Sequence, residues 1–238
     1  LGIHIDLSEN KGIIKGKVDQ TKEEIITKIN EIVNLVDIGK EYEIKGEDYE
    51  IKIHPINVVP DKNTTNIDFT ECEKVLREKY NFTEQEILTI LQIEIESQKT
   101  NSLINKLEYV VFDERKEKLN LSYCNDVKIK INYEIKNTSL INTSLINSFL
   151  EEGIDILNIE DDFFNDICYP YSTNNTDITL EDRRKDIYVN MSVCEDNCYY
   201  EEYNSLYNSI ECNCEVKENI TIEEESGDVM KMIQDTFK

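Results

Sequence analysis

The stretch Val193-Cys-Glu-Asp-Asn-Cys198-Tyr-Tyr-Glu-Glu-Tyr203-Asn-Ser-Leu-Tyr-Asn-Ser-Ile210-Glu-Cys-Asn-Cys214-Glu-Val-Lys217 decides how this chain is read. It holds Cys194, Cys198, Cys212 and Cys214, spaced C-x3-C-x13-C-x-C, and Cys168 precedes them. Five of the seven cysteines therefore fall between Asp162 and Lys217. That density describes a small disulfide-rich module, residues 161–217, rather than a domain held by an apolar core alone. Tyr169, Tyr171, Tyr188, Tyr199, Tyr200, Tyr203 and Tyr207 are interleaved with the cysteines. They either cover the bridges or form a contact face, since aromatic residues are enriched at interfaces.

Upstream of the module, residues 68–160 read as a helix followed by an antiparallel sheet. Thr70 with Glu73 has the spacing of a capping box, and Cys72, Val75, Leu76 and Tyr80 share one helical side. Thr83 with Glu86 repeats the box at a short turn. Leu91, Ile93 and Ile95 then alternate with polar residues; 107–112 and 119–123 are further strands. Val127, Ile129, Ile131, Tyr133 and Ile135 give the longest clean alternation. Together they predict one antiparallel sheet with one wet face. Asn137-Thr-Ser-Leu-Ile and Asn142-Thr-Ser-Leu-Ile form a five-residue duplication read as a loop, and a short helix is expected near 145–152.

Residues 1–57 read as a ββαββ-like unit. Strands at 1–7 and 13–18 precede a helix opened by Thr21 and Glu24, with Ile25, Ile29, Ile32, Val33 and Val36 in one stripe and Gly39 after the last turn. A hairpin through Gly46 joins Tyr42 and Ile44 to Tyr49, Ile51 and Ile53. Residues 58–67, with Pro60, Asp61 and Asn66, read as a linker, and 218–238 as an acidic connector tail. The fold class is thus α+β, mainly antiparallel β with a few short helices, followed by the disulfide-rich module.

Composition bounds the function. Fifty acidic against 26 basic residues give a net charge of −24, which repels phosphate backbones and makes nucleic acid a poor partner. No apolar run is long enough to span a membrane. Asn-x-Ser/Thr occurs at Asn63, Asn81, Asn120, Asn137, Asn142, Asn174, Asn190 and Asn219, where this composition gives about three by chance. Together with the cysteines, this excess points to an oxidising, extracellular or cell-surface setting. Seven is an odd number, so one thiol is left over or pairs outside the stretch. Cys72 and Cys124, the two outside the module, are the expected pair; connectivity among the other five stays open.

Candidate chemistry is sparse. Four thiolates from Cys194, Cys198, Cys212 and Cys214 would suit zinc, but the spacing departs from the usual knuckles and disulfides compete for them. No cofactor is expected; Asp161, Asp162, Asp177 and Asp182, with Glu160, Asp166 and Glu181 nearby, are the candidate ligands should a calcium ion bind, although a solvated acidic surface accounts for them as well. Arg183, Arg184 and Lys185 lie beside these acids and offer them ion pairs instead. Only His4 and His54 are present, and no hydrolase or nucleotide-binding motif occurs, so the chain reads as a non-enzyme.

The runs Asp162-Phe-Phe-Asn-Asp-Ile-Cys168-Tyr-Pro-Tyr, Asp177-Ile-Thr-Leu-Glu-Asp-Arg183-Arg and Tyr188-Val-Asn-Met-Ser-Val-Cys194 carry a resemblance. With Cys198-Tyr, Cys212-Asn-Cys214-Glu-Val-Lys, Thr70-Glu-Cys72 and Leu119-Asn-Leu-Ser-Tyr-Cys124, they resemble an ectodomain module of large surface proteins from AT-rich single-celled eukaryotes. The resemblance covers about residues 68–217. It implies a repeated or membrane-proximal ectodomain with a membrane anchor encoded beyond Lys238, and it carries over no catalytic residue. The expected function is structural or adhesive contact with other protein chains, copies of itself included. A ligand-binding ectodomain and a secreted hydrolase are the alternatives.

Overall fold

The computed structural model describes residues 29, 32–45, 49–58, 61, 63–97, 99–136, 138–173 and 176–218. The expected strands at 1–7 and 13–18, the Thr21–Glu24 box, the Gly46 turn, the tail from residue 219, and Asn137, Asn174 and Asn219 lie outside them.

Two four-stranded antiparallel sheets dominate. The first has the order β1 (Tyr42–Lys45), β2 (Tyr49–Pro55), β4 (Thr89–Ile95), β5 (Lys106–Phe112). The second runs β3 (Asn66–Asp68), β6 (Lys128–Glu134), β10 (Ser209–Glu215), β9 (Cys198–Asn204). β7 (Ser172–Thr173) and β8 (Thr176–Asp177) form a separate ribbon. The helices α1 (Thr70–Tyr80), α2 (Thr143–Glu151) and α3 (Asp162–Asn165) are short. This is the α+β class, mainly antiparallel β, that the patterning predicts.

The first sheet has both faces covered. Ile29, Ile32, Val33 and Val36 pack with Ile44, Ile51, Ile53, Leu91, Ile93, Val110 and Phe112 on one side. Ile90, Leu107, Tyr109 and Val111 turn the other way, into a larger core shared with the second sheet and α1. The expected wet face is therefore corrected: all seven residues of β4 are buried. The strands expected in one sheet are also split, with β4 and β5 in the first and β6 in the second.

Local chemistry sets several ends. Gly39 adopts φ +83°, the left-handed conformation expected after the helical stripe. The Thr70–Glu73 box does not form; Asp68 Oδ1 accepts from Thr70 N at 2.9 Å, and Glu73 pairs with Arg77 instead. At the second box Glu86 does accept from Thr83 N, at 2.6 Å. Of the strand expected at 119–123, residues 121–123 belong instead to a 3₁₀ turn, Leu121–Cys124, opened where Asn120 Oδ1 accepts from Ser122 N. The last two residues of the anticipated linker, Asn66 and Ile67, enter β3 against β6.

Candidate functional site

β10 lies between β6 and β9, so the cysteine-rich stretch is built into the second sheet. Alternation turns Ile210, Cys212 and Cys214 inward beside Tyr133, Ile131 and Ile129 of β6. On β9 the register shifts between the partners of Glu211 and Cys212, leaving Glu201 extra. That bulge lets Tyr200 and Tyr203, three residues apart, both face the core.

Three disulfides lock this arrangement. Cys72–Cys124 ties α1 to the 3₁₀ turn, Cys194–Cys212 ties the incoming loop to β10, and Cys198–Cys214 crosses the β9–β10 pair. The four thiols considered for zinc are thus consumed in bridges. Most of the tyrosines cover the core: Tyr203 belongs to it, and Tyr169, Tyr171, Tyr188 and Tyr200 pack against it. Tyr207 is half-buried outside that core, and Tyr199 is 63% exposed on the outer face of β9, with Lys128 Nζ 4.2 Å from its ring centre.

Between the bridged Cys194 and Cys198 sits Glu195, which the sequence reading passed over. Its Oε1 accepts from Leu107 N at 2.8 Å and from Tyr133 Oη at 3.0 Å. Its Oε2 lies 2.6 Å from Lys217 Nζ. Lys217 also donates through Nζ to Leu107 O and through its backbone N to Tyr109 Oη. Two side chains thereby satisfy the backbone of β5 at a sheet edge. Glu108, buried beside them, has Lys217 Nζ at 3.8 Å and Lys106 Nζ at 3.3 Å. Burial pushes its carboxyl up, against the pull of both lysines.

Cys168 is unpaired and exposed, and the adjacent Ile167 is 78% exposed. The candidate calcium ligands do not converge: among the described residues no three His, Cys, Asp or Glu side chains are placed to hold a metal ion. Asp161 Oδ1 accepts from Phe163 N at the start of α3 and its Oδ2 accepts from Asp155 N. Asp182 Oδ2 accepts from Thr179 Oγ1. Asp177 stands on the β7–β8 ribbon, and Asp162 opens α3. Arg183 and Arg184 turn to carbonyls rather than to those acids. Arg183 is buried and donates to Phe163 O and Asp166 O, and Arg184 donates to Phe164 O. A π-helical turn over Arg183–Ile187 follows Asp182 at this point.

Five sequon asparagines are described, Asn63, Asn81, Asn120, Asn142 and Asn190, and all five are exposed. Asn142 caps α2 through its Oδ1, as Asn120 does for the 3₁₀ turn, so in both it is the amide oxygen that carries the structural bond. No helix among the described residues is long and apolar enough to cross a membrane. The three disulfides point to an oxidising, extracellular or secreted setting. No protein-family model, curated protein or solved structure matches the chain.

Proposed function

We propose that this chain is a non-enzymatic glycoprotein segment, extracellular or on a cell surface, that makes structural or adhesive contacts with other protein chains. The observation that carries the reading is a combination. Three disulfides close a rigid body, while every described sequon asparagine lies on its surface. Cys168, exposed beside Ile167, supplies a thiol for a bond to another chain, a second copy included.

The test is the intact mass of natural material, with and without reduction and with and without glycan removal. Extra mass at several sequons and a covalent partner on Cys168 are the expected results. A bare polypeptide with seven free thiols overturns the reading. A ligand-binding ectodomain is the second reading, favoured by a polar pocket beside β2. Oligomeric state separates the two, since the receptor reading expects a monomer.

A further inference from the structure

Tyr80 and Tyr123 are the exposed members of an aromatic cluster beside the larger core. Tyr80 closes α1 and is 36% exposed; Tyr123 stands in the 3₁₀ turn and is 41% exposed. Their rings meet edge to face with centres 5.8 Å apart. Phe82 stacks on Tyr80 at 5.5 Å, with 10° between the planes. Cys72–Cys124 ties together the two elements that carry the tyrosines, so the platform is held in place before anything covers it. Rings grouped at a surface, unlike ones scattered singly, mark a place of contact.

One sequon asparagine adjoins this platform. Asn120 N donates to Tyr80 Oη at 2.9 Å. Asn120 also opens the 3₁₀ turn, where residues three apart eclipse, which sets Tyr123 on the same side as Asn120. The asparagine is exposed, and its Oδ1 accepts from Ser122 N at 3.0 Å. Glycosylation uses the other end of the amide, Nδ2. A sugar there leaves the cap intact and, because the side chain is short, begins beside the Tyr80 hydroxyl with Tyr123 close by. The nearest candidate to cover the platform is therefore the chain's own carbohydrate.

We propose that the first N-acetylglucosamine of a glycan on Asn120 packs against Tyr80 and Tyr123. The proposal rests on the glycoprotein reading and adds to it a seat for one particular sugar. Attachment forms the bond from Asn120 Nδ2 to the sugar's anomeric carbon and breaks that carbon's bond to the diphosphate of an activated oligosaccharide donor. The diphosphate leaves with the bonding electrons, and the amide proton goes to solvent. The C–H face of the pyranose is apolar and lies against a ring, while its hydroxyls stay in water. Lys79 Nζ, 4.6 Å from the Tyr123 ring centre, supplies a donor for those hydroxyls. Another protein chain fits this platform less well, because a glycan on Asn120 stands in its path.

The test uses the full chain made in a eukaryotic secretory host, with its glycans trimmed to one N-acetylglucosamine per site. Glycopeptide mass spectrometry should find a sugar on Asn120. Proton NMR should then show one N-acetyl methyl signal moved upfield by ring currents, with cross-relaxation to the ring protons of Tyr80 or Tyr123. Ser122→Ala removes the sequon and keeps the Asn120 cap. It should abolish that signal and raise the unfolding equilibrium constant about fivefold, the size of one aromatic contact. Tyr123→Leu should move the methyl back towards its free position. Thr83→Ala, which removes the sequon at the neighbouring Asn81, should leave it in place. A sugar on Asn120 whose methyl sits at the free position overturns this proposal and spares the glycoprotein reading. So does a bare Asn120 while other sequons are occupied, or a shifted methyl that Thr83→Ala removes and Ser122→Ala keeps. No sugar at any sequon overturns both.

Discussion

Glu195 Oε2 lies 2.6 Å from Lys217 Nζ, and this pair joins the loop between two disulfides to the exit of β10. Both side chains are mostly buried, and both also bond the main chain of Leu107. Glu195→Ala should therefore destabilise the fold by about 3 kcal/mol, the range for breaking a buried pair and leaving one charge unmatched. Urea denaturation measures it. A loss under about 0.5 kcal/mol, the size of an ordinary surface change, would show that the pair is not structural.

The bridges differ in the chain length they close, 52 residues for Cys72–Cys124 and 16 for Cys198–Cys214. Loop-closure entropy assigns about 4 kcal/mol to the first and about 3 to the second. Paired Cys→Ala variants should rank in that order by urea midpoint under non-reducing conditions. The opposite order would mean that native packing, not chain entropy, sets their worth.

Burial raises the carboxyl of Glu108, and likewise those of Glu94 and Asp155. A group whose folded pKa lies above its unfolded value costs stability once ionised. For the two glutamates that cost is absent below 4.5, the ordinary value, and grows as pH rises through the folded pKa. Acidification from pH 7 towards 4.5 should therefore stabilise the chain, the more so as its net charge of −24 is reduced. Glu108→Gln should flatten that rise. A stability that instead falls steadily over this range would count against buried, strained carboxylates.

Arg183 caps Phe163 O and Asp166 O from within the core. Arg183→Met keeps bulk and removes the donors, with an expected cost of about 2–3 kcal/mol. Hydrogen exchange should rise first around α3. Exchange that rises uniformly, with α3 no earlier than the sheets, would rule out a local cap.

Native labelling with a maleimide should modify one cysteine per chain of the free protein, at Cys168. Cys168→Ser should abolish labelling and leave the unfolding midpoint unchanged. Labelling elsewhere would contradict the pairing of the other six.

Much of this fold is legible in the residue pattern. The period-two run from Ile129 to Tyr133 and the stripe of Ile29, Ile32, Val33 and Val36 bury as their spacing requires. What the pattern misleads about is β4. Gln92 and Glu94 read as a solvated face, yet the segment before β3 covers them, a long-range contact with no local mark. Glu195 was equally silent, one acid among fifty, because its meaning comes from Leu107, 88 positions away. The β9 bulge hides for a related reason: Tyr200 and Tyr203 break the alternation that would have announced their shared face.

The position of β10 has one more consequence, for the order in which the chain can assemble. Among the described residues Ser209–Glu215 is the last strand made, yet it fills the slot between β6 and β9. Until it leaves the ribosome, β6 presents an open flank for some eighty residues of synthesis, and two of the three bridges lack a partner thiol. Nascent chains halted before Ser209 should thus be held open, bound by folding helpers and prone to wrong cross-links, whereas the first sheet, complete by Phe112, can already have closed.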